Sequence, residues 1–117
     1  MTAKEIYEIG EIPSLGDVPE KMYAWVIREN RLGEPEKAMQ IEKMPVQKPG
    51  KDEVLVMVMA VGINYNNVWA SQGIPISVIG EDTGYHIGGS DASGIVWAIG
   101  DNVKRWKVGD EVIIHCN

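Results

Sequence analysis

Asn64, Tyr65, Asn66 and Asn67 stand side by side directly after a long apolar run and before Trp69, within the segment GINYNNVWASQG. Carboxamides donate and accept hydrogen bonds without titrating, so such a group can hold a ligand oxygen or a backbone N–H but does not serve as a general acid or base. Amides and hydroxyls are also poor partners for Zn²⁺, which takes thiolates and imidazoles. The side chains with other chemistry are few: His86, His115 and a single cysteine, Cys116. His115 and Cys116 are adjacent on a predicted strand and point to opposite faces, so no metal site is expected from these three. Cys116 has no base in view, which argues against a nucleophile, and one cysteine forms no internal disulfide. His86 reads as a structural histidine rather than a proton donor. The run His86-Ile87-Gly88-Gly89-Ser90 lacks both the GxGxxG spacing and the strand–turn–helix setting of a dinucleotide cradle.

The frame that must position these groups reads as short strands joined by glycine-rich connections. Residues 22–28, MYAWVIR, predict a first strand and residues 36–44 a more polar second one. Residues 53–61, EVLVMVMAV, form a nearly continuous apolar run bounded by Pro49-Gly50 and Gly62, too short for a helix, and predict a strand central in its sheet. The polar turn at Asn64–Asn67 leads into one or two helical turns. Residues 73–84 predict a loop, either a lid or a crossover. Residues 86–100 combine glycines that permit bends or close backbone approach with the apolar strand IVWAI; WKVGD then predicts a turn and EVIIHC a last strand. Residues 1–21, broken by Gly10, Pro13, Gly16 and Pro19, read as an extended N-terminal arm laid over a partner surface or as a loose leader. The fold class expected is mainly β with little helix.

Bulk composition narrows the function. With 117 residues, 44% hydrophobic and 24% charged, the chain matches one globular domain. Eleven Lys and Arg against a net charge of −6 leave no basic surface for nucleic acid. No apolar run approaches the ~20 residues of a membrane span, and the polar start is no signal peptide, so a cytoplasmic protein is expected.

An ordered set of motifs then carries a resemblance. The strand ending in Gly62-Ile63-Asn64-Tyr65, the Gly89-Ser90-Asp91 turn, the Gly94-Ile95-Val96 strand, Gly100 and the Val108-Gly109-Asp110-Glu111-Val112 turn resemble the medium-chain dehydrogenase/reductase superfamily over residues 22–117. Within it, NYNNVWA, YHIGGSDASGIVW and WKVGDEVIIHCN are most similar to the crotonyl-CoA carboxylase/reductases and their enoyl-CoA reductase relatives. The resemblance implies a GroES-like partial barrel, the N-terminal part of the substrate-side domain. It also implies NADPH as cofactor, an α,β-unsaturated acyl-CoA and CO2 as substrates, and a homo-oligomer. Where zinc alcohol dehydrogenases carry Cys and a His-Glu pair, this chain has Asn64 and Ser90-Asp91, which implies the zinc-free branch.

By the same resemblance, Asn64 and Tyr65 sit where zinc-free relatives face the nicotinamide and substrate, and Asn66 matches the amide that holds CO2 in carboxylating members. An amide N–H can donate to a CO2 oxygen without protonating an enolate, as a nearby acid would. Asn67 is the competing choice one residue on. A strained turn at Asn64 and core packing at Tyr65 are the structural alternatives. Asp91 is expected to orient its turn, and Trp69, Trp97 and Trp106 to be core or to line an acyl pocket. The nucleotide-binding half is expected C-terminal to this segment or on another chain, the segment itself to be incomplete and inactive alone. A non-catalytic GroES-like binding module and a plain enoyl-CoA or quinone reductase are the competing readings.

Overall fold

The computed structural model describes residues 4–115. They fall into two compact units, one of residues 4–22, 44–61 and 91–115, the other of residues 23–43 and 62–90. The fold is mainly β, as expected.

The first three-stranded sheet has the order β2-β1-β4, from β1 (Lys21–Arg28), β2 (Met39–Pro45) and β4 (Tyr85–Ile87). Val26 and Ile27 are both fully buried. Consecutive strand residues point to opposite faces, so β1 is covered on both sides, as suits a middle strand. β4 runs antiparallel to it, with Val26 opposite Ile87 and Arg28 opposite Tyr85.

Between β1 and β2 the chain makes a 3-10 turn (Glu29–Arg31) and a one-turn helix α1 (Pro35–Ala38). Here the structure corrects the strand predicted over residues 36–44. Pro35 sits in the first helical turn, where its missing N–H costs nothing, and the N–H groups of Lys37 and Ala38 both donate to the Glu34 carbonyl at 2.9 Å. Extended structure therefore starts only at Met39. Strand ends are tied by charge: Arg28 reaches Glu42 with Nε and Nη2 at 2.8 to 3.2 Å, and Arg31 donates to Glu42 Oε2 at 2.6 Å and to the carbonyls of Val26 and Ala38.

The second sheet has the order β3-β5-β6, from β3 (Val54–Val61), β5 (Ala92–Ile99) and β6 (Glu111–Ile114), antiparallel throughout. The expectation that residues 53–61 form a central strand is corrected. β5 takes the middle, and among the described residues no strand pairs with the outer edge of β3. Its last four residues, Val58 to Val61, are all exposed. β5 can be approached closely because Gly94 has no side chain: a Cβ there would stand 2.0 Å from the Met57 carbonyl oxygen. β6 follows a turn in which Lys107 N–H donates to Asp110 Oδ2 at 3.0 Å.

Residues 4–20 form neither strand nor helix. They fold through reverse turns closed by Glu11 N–H to Glu8 O and Asp17 N–H to Ser14 O, with Lys4 paired to Glu11 and Lys21 to Glu5. No helix among the described residues is long and apolar enough to cross a membrane.

Candidate active site

The turn at residues 64–67 is built by its own side chain. Asn64 Oδ1 accepts the backbone N–H of Asn66 at 3.1 Å, and the Asn64 carbonyl accepts that of Asn67 at 3.2 Å. An asparagine side chain bonding two residues ahead mimics a backbone turn and satisfies a donor that a helix start leaves open. Tyr65, already helical at φ −66° and ψ −17°, then leads into α2 (Asn66–Gln72). Its carbonyl takes the N–H groups of Val68 and Trp69. Gly73 stops the helix in the left-handed region at φ 70°, its N–H returning to the Ala70 and Trp69 carbonyls, a conformation that favours glycine. The helix predicted after the asparagine turn is therefore present.

The faces of α2 differ sharply. Ser71 is fully buried, its hydroxyl donating to the Asn67 carbonyl at 2.7 Å, and its own carbonyl accepts the Gly33 N–H at 2.9 Å. Tyr65, Asn66 and Trp69 are exposed, whereas Asn64, Asn67 and Val68 are half-buried. Tyr65 and Trp69 meet edge to face, with ring centroids 5.5 Å apart and planes at 75°. The structure thus brings Asn64, Tyr65 and Asn66 onto one turn. The Asn64 oxygen is engaged in forming it, and Tyr65 and Asn66 are presented outward.

The other singled-out residues lie in different settings. His86 is half-buried on β4, and burial pushes its imidazole below the usual histidine range. Asp91 is half-buried just ahead of β5, Trp97 half-buried on β5, and Trp106 partly exposed. Cys116 lies outside the described residues. Among those described, no three His, Cys, Asp or Glu side chains gather as a metal-binding group. A groove of about 670 Å³ is lined by Val18, Pro19, Leu55, Ala98, Ile99 and Gly100 among others, and draws on none of the 64–67 turn.

Sequence reasoning missed the cluster of Arg28, Arg31 and Glu42. The two guanidinium groups hold the Glu42 carboxyl at about 2, well below the ordinary carboxylate range. It also missed the Tyr65–Trp69 contact, although their spacing of four residues at a helix start was a readable signal.

Residues 50–117 match the family model described as the alcohol dehydrogenase GroES-like domain. The chain belongs to this family. Over 115 residues this GroES-like chain is 63% identical to the crotonyl-CoA carboxylase/reductase of Cereibacter sphaeroides, covering 97% of the chain and 27% of that protein. A solved structure of a crotonyl-CoA carboxylase/reductase superimposes with a TM-score of 0.92 at 62% identity, over 99% of this chain and 27% of that one. The 2-octenoyl-CoA carboxylase reductase CinF, solved in complex with NADP and 2-octenoyl-CoA, superimposes with a TM-score of 0.74 at 35% identity, over 84% of this chain and 27% of its own. The GroES-like chain spans about a quarter of the length of these relatives.

Proposed function

We propose that this chain is the N-terminal part of an NADPH-dependent enoyl-CoA carboxylase/reductase, with the turn at Asn64, Tyr65 and Asn66 at the edge of its active-site cleft. The single observation that carries the reading is the 63% identity to a crotonyl-CoA carboxylase/reductase over 97% of the chain. The exposed asparagine at the start of α2 supports the same reading.

NADPH, when bound, supplies a hydride to the substrate β-carbon. The residues of this chain fit one end of that cofactor and not the other. Tyr65 offers an exposed aromatic ring beside Asn66, suited to framing a flat nicotinamide. Asn64 Oδ1 takes the Asn66 N–H at the start of α2, and the cofactor phosphates are assigned to a nucleotide-binding domain in the remainder of the protein or on a partner chain. Hydride addition would leave the electron pair of the double bond on the α-carbon and thioester oxygen as an enolate, whose α-carbon would attack the carbon of CO2, one C=O π bond opening to a carboxylate as the new C–C bond forms. Asn66 donates its amide N–H to a CO2 oxygen and holds it for that attack without offering an acidic proton to quench the enolate. Asn66 is preferred to Asn67 because it is exposed, whereas Asn67 is half-buried beside Ser71.

The chemistry runs without zinc: Asn64 and Ser90-Asp91 stand where zinc relatives bind the metal, and amide and hydroxyl groups bind it poorly. Residues 1–21 act as an N-terminal arm, residues 22–117 as a GroES-like domain that the rest of the protein completes, and the enzyme works as a cytoplasmic homo-oligomer. The test is NADPH oxidation by the complete gene product on crotonyl-CoA, read beside its intact mass. Turnover with a mass well above 12.9 kDa supports the reading. A 12.9 kDa product without NADPH binding or turnover overturns it in favour of a non-catalytic module.

A further inference from the structure

Trp69 is the next outward-facing residue after Asn66 on α2, and its indole meets the Tyr65 ring edge to face at 5.5 Å. The helix beneath it is held from behind. Ser71 is fully buried and bonded on both sides, and Gly73 fixes the helix end. Tyr65 is 65% exposed and Trp69 48% exposed, so neither ring is simply core. The Tyr65 backbone is set by the turn that Asn64 closes, which leaves rotation of its side chain as the main freedom. An edge-to-face neighbour restricts that rotation.

We propose that Trp69 is a positioning residue acting through Tyr65: its indole fixes the angle at which the Tyr65 ring meets the nicotinamide. The inference rests on the functional reading above and adds a residue that touches neither cofactor nor reacting atoms. The helix supplies the rigid support, Trp69 the stop, and Tyr65 the contact. Losing the stop leaves Tyr65 present but misaligned, which costs nicotinamide placement rather than acyl-CoA binding.

The experiment is a double-mutant cycle on the complete gene product, measuring kcat/KM for NADPH, KM for crotonyl-CoA and Tm. Trp69→Ala is expected to lower kcat/KM for NADPH about tenfold, the scale of one aromatic pair. KM for crotonyl-CoA should stay within about twofold, and Trp69→Phe should recover most of the loss. In a Tyr65→Ala background, Trp69→Ala should cost nothing further, because residues that act together are non-additive. Trp69→Leu, which fills volume without an aromatic edge, should behave as alanine does and serves if the alanine variant does not fold. Losses that multiply in the double variant overturn the proposal, as does a leucine variant with wild-type kcat/KM or an alanine variant whose only change is a lower Tm. Absence of any wild-type turnover overturns the functional reading itself, and is seen before any variant is made.

Discussion

The side-chain oxygen of Asn64 accepts the backbone N–H of Asn66 at 3.1 Å, so one amide of the turn builds the platform on which the other is displayed. The two asparagines, two positions apart in one short motif, therefore do different work. Asn64 shapes, and Asn66 faces outward.

Removing the Asn64 acceptor leaves the Asn66 N–H without its protein partner at the start of α2. Asn64→Ala is expected to cost ~1 kcal/mol of stability, the usual loss for a capping side chain, whereas Asn64→Asp keeps the acceptor and most of the stability. Urea unfolding of both variants beside wild type checks this.

Glu42 gives a pH dependence. Arg28 and Arg31 hold its carboxyl at about 2 in the folded chain, against 4.5 for the ordinary group. A carboxyl depressed by folding adds stability that is fully present above about pH 4.5 and is lost as pH falls towards about 2. Glu42→Gln should therefore lower the urea midpoint at pH 7 and flatten its decline over that acid window. A variant with an unchanged acid profile contradicts the assignment.

Gly94→Ala would place a Cβ 2.0 Å from the Met57 carbonyl oxygen in the adjoining strand. Backbone cannot yield as a flexible side chain does, so a loss of about 3 kcal/mol or failure to fold is expected. Glycine at position 89, where a Cβ meets nothing within 4 Å but φ is 109°, should be replaced at lower cost by asparagine than by valine. Thermal melts of the three variants rank them.

Local signals were the ones the sequence displayed well. The asparagine turn, the helix it starts and the stop at Gly73 all depend on residues within a few positions of one another, and so does the Lys107–Asp110 turn before β6. Pairing was not local. The apolar run at residues 53–61 reads as a central strand by its composition, yet which strand stands in the middle depends on partners some 31 to 45 residues on, and β5 took that place. The second strand was mistaken at its start because Pro35, a breaker in a strand, is a good first residue of a helix. The Arg28, Arg31 and Glu42 cluster is assembled across strands, so no short motif announces it. At the site, the turn that brings Asn64, Tyr65 and Asn66 together was legible, as was the four-residue spacing of Tyr65 and Trp69, whereas the full burial of Ser71 was not.

Asn66 should control the fate of the α-carbon. Asn66→Ala is expected to retain NADPH oxidation on crotonyl-CoA but to yield mainly reduced acyl-CoA rather than carboxylated product, because water or buffer then supplies the proton that CO2 would have pre-empted. Asn67→Ala should leave the product ratio close to wild type. Chromatographic analysis of the acyl-CoA products of the three enzymes decides between the two amides.

The central claim is reductive carboxylation, and the most direct measurement is isotope capture: the complete gene product, NADPH and crotonyl-CoA with ¹³C-labelled bicarbonate, and the mass of the acyl-CoA product. Carboxylated acyl-CoA carrying one label per NADPH consumed is the predicted result. NADPH oxidation giving only unlabelled, reduced acyl-CoA would contradict the account and leave a plain enoyl-CoA reductase in its place.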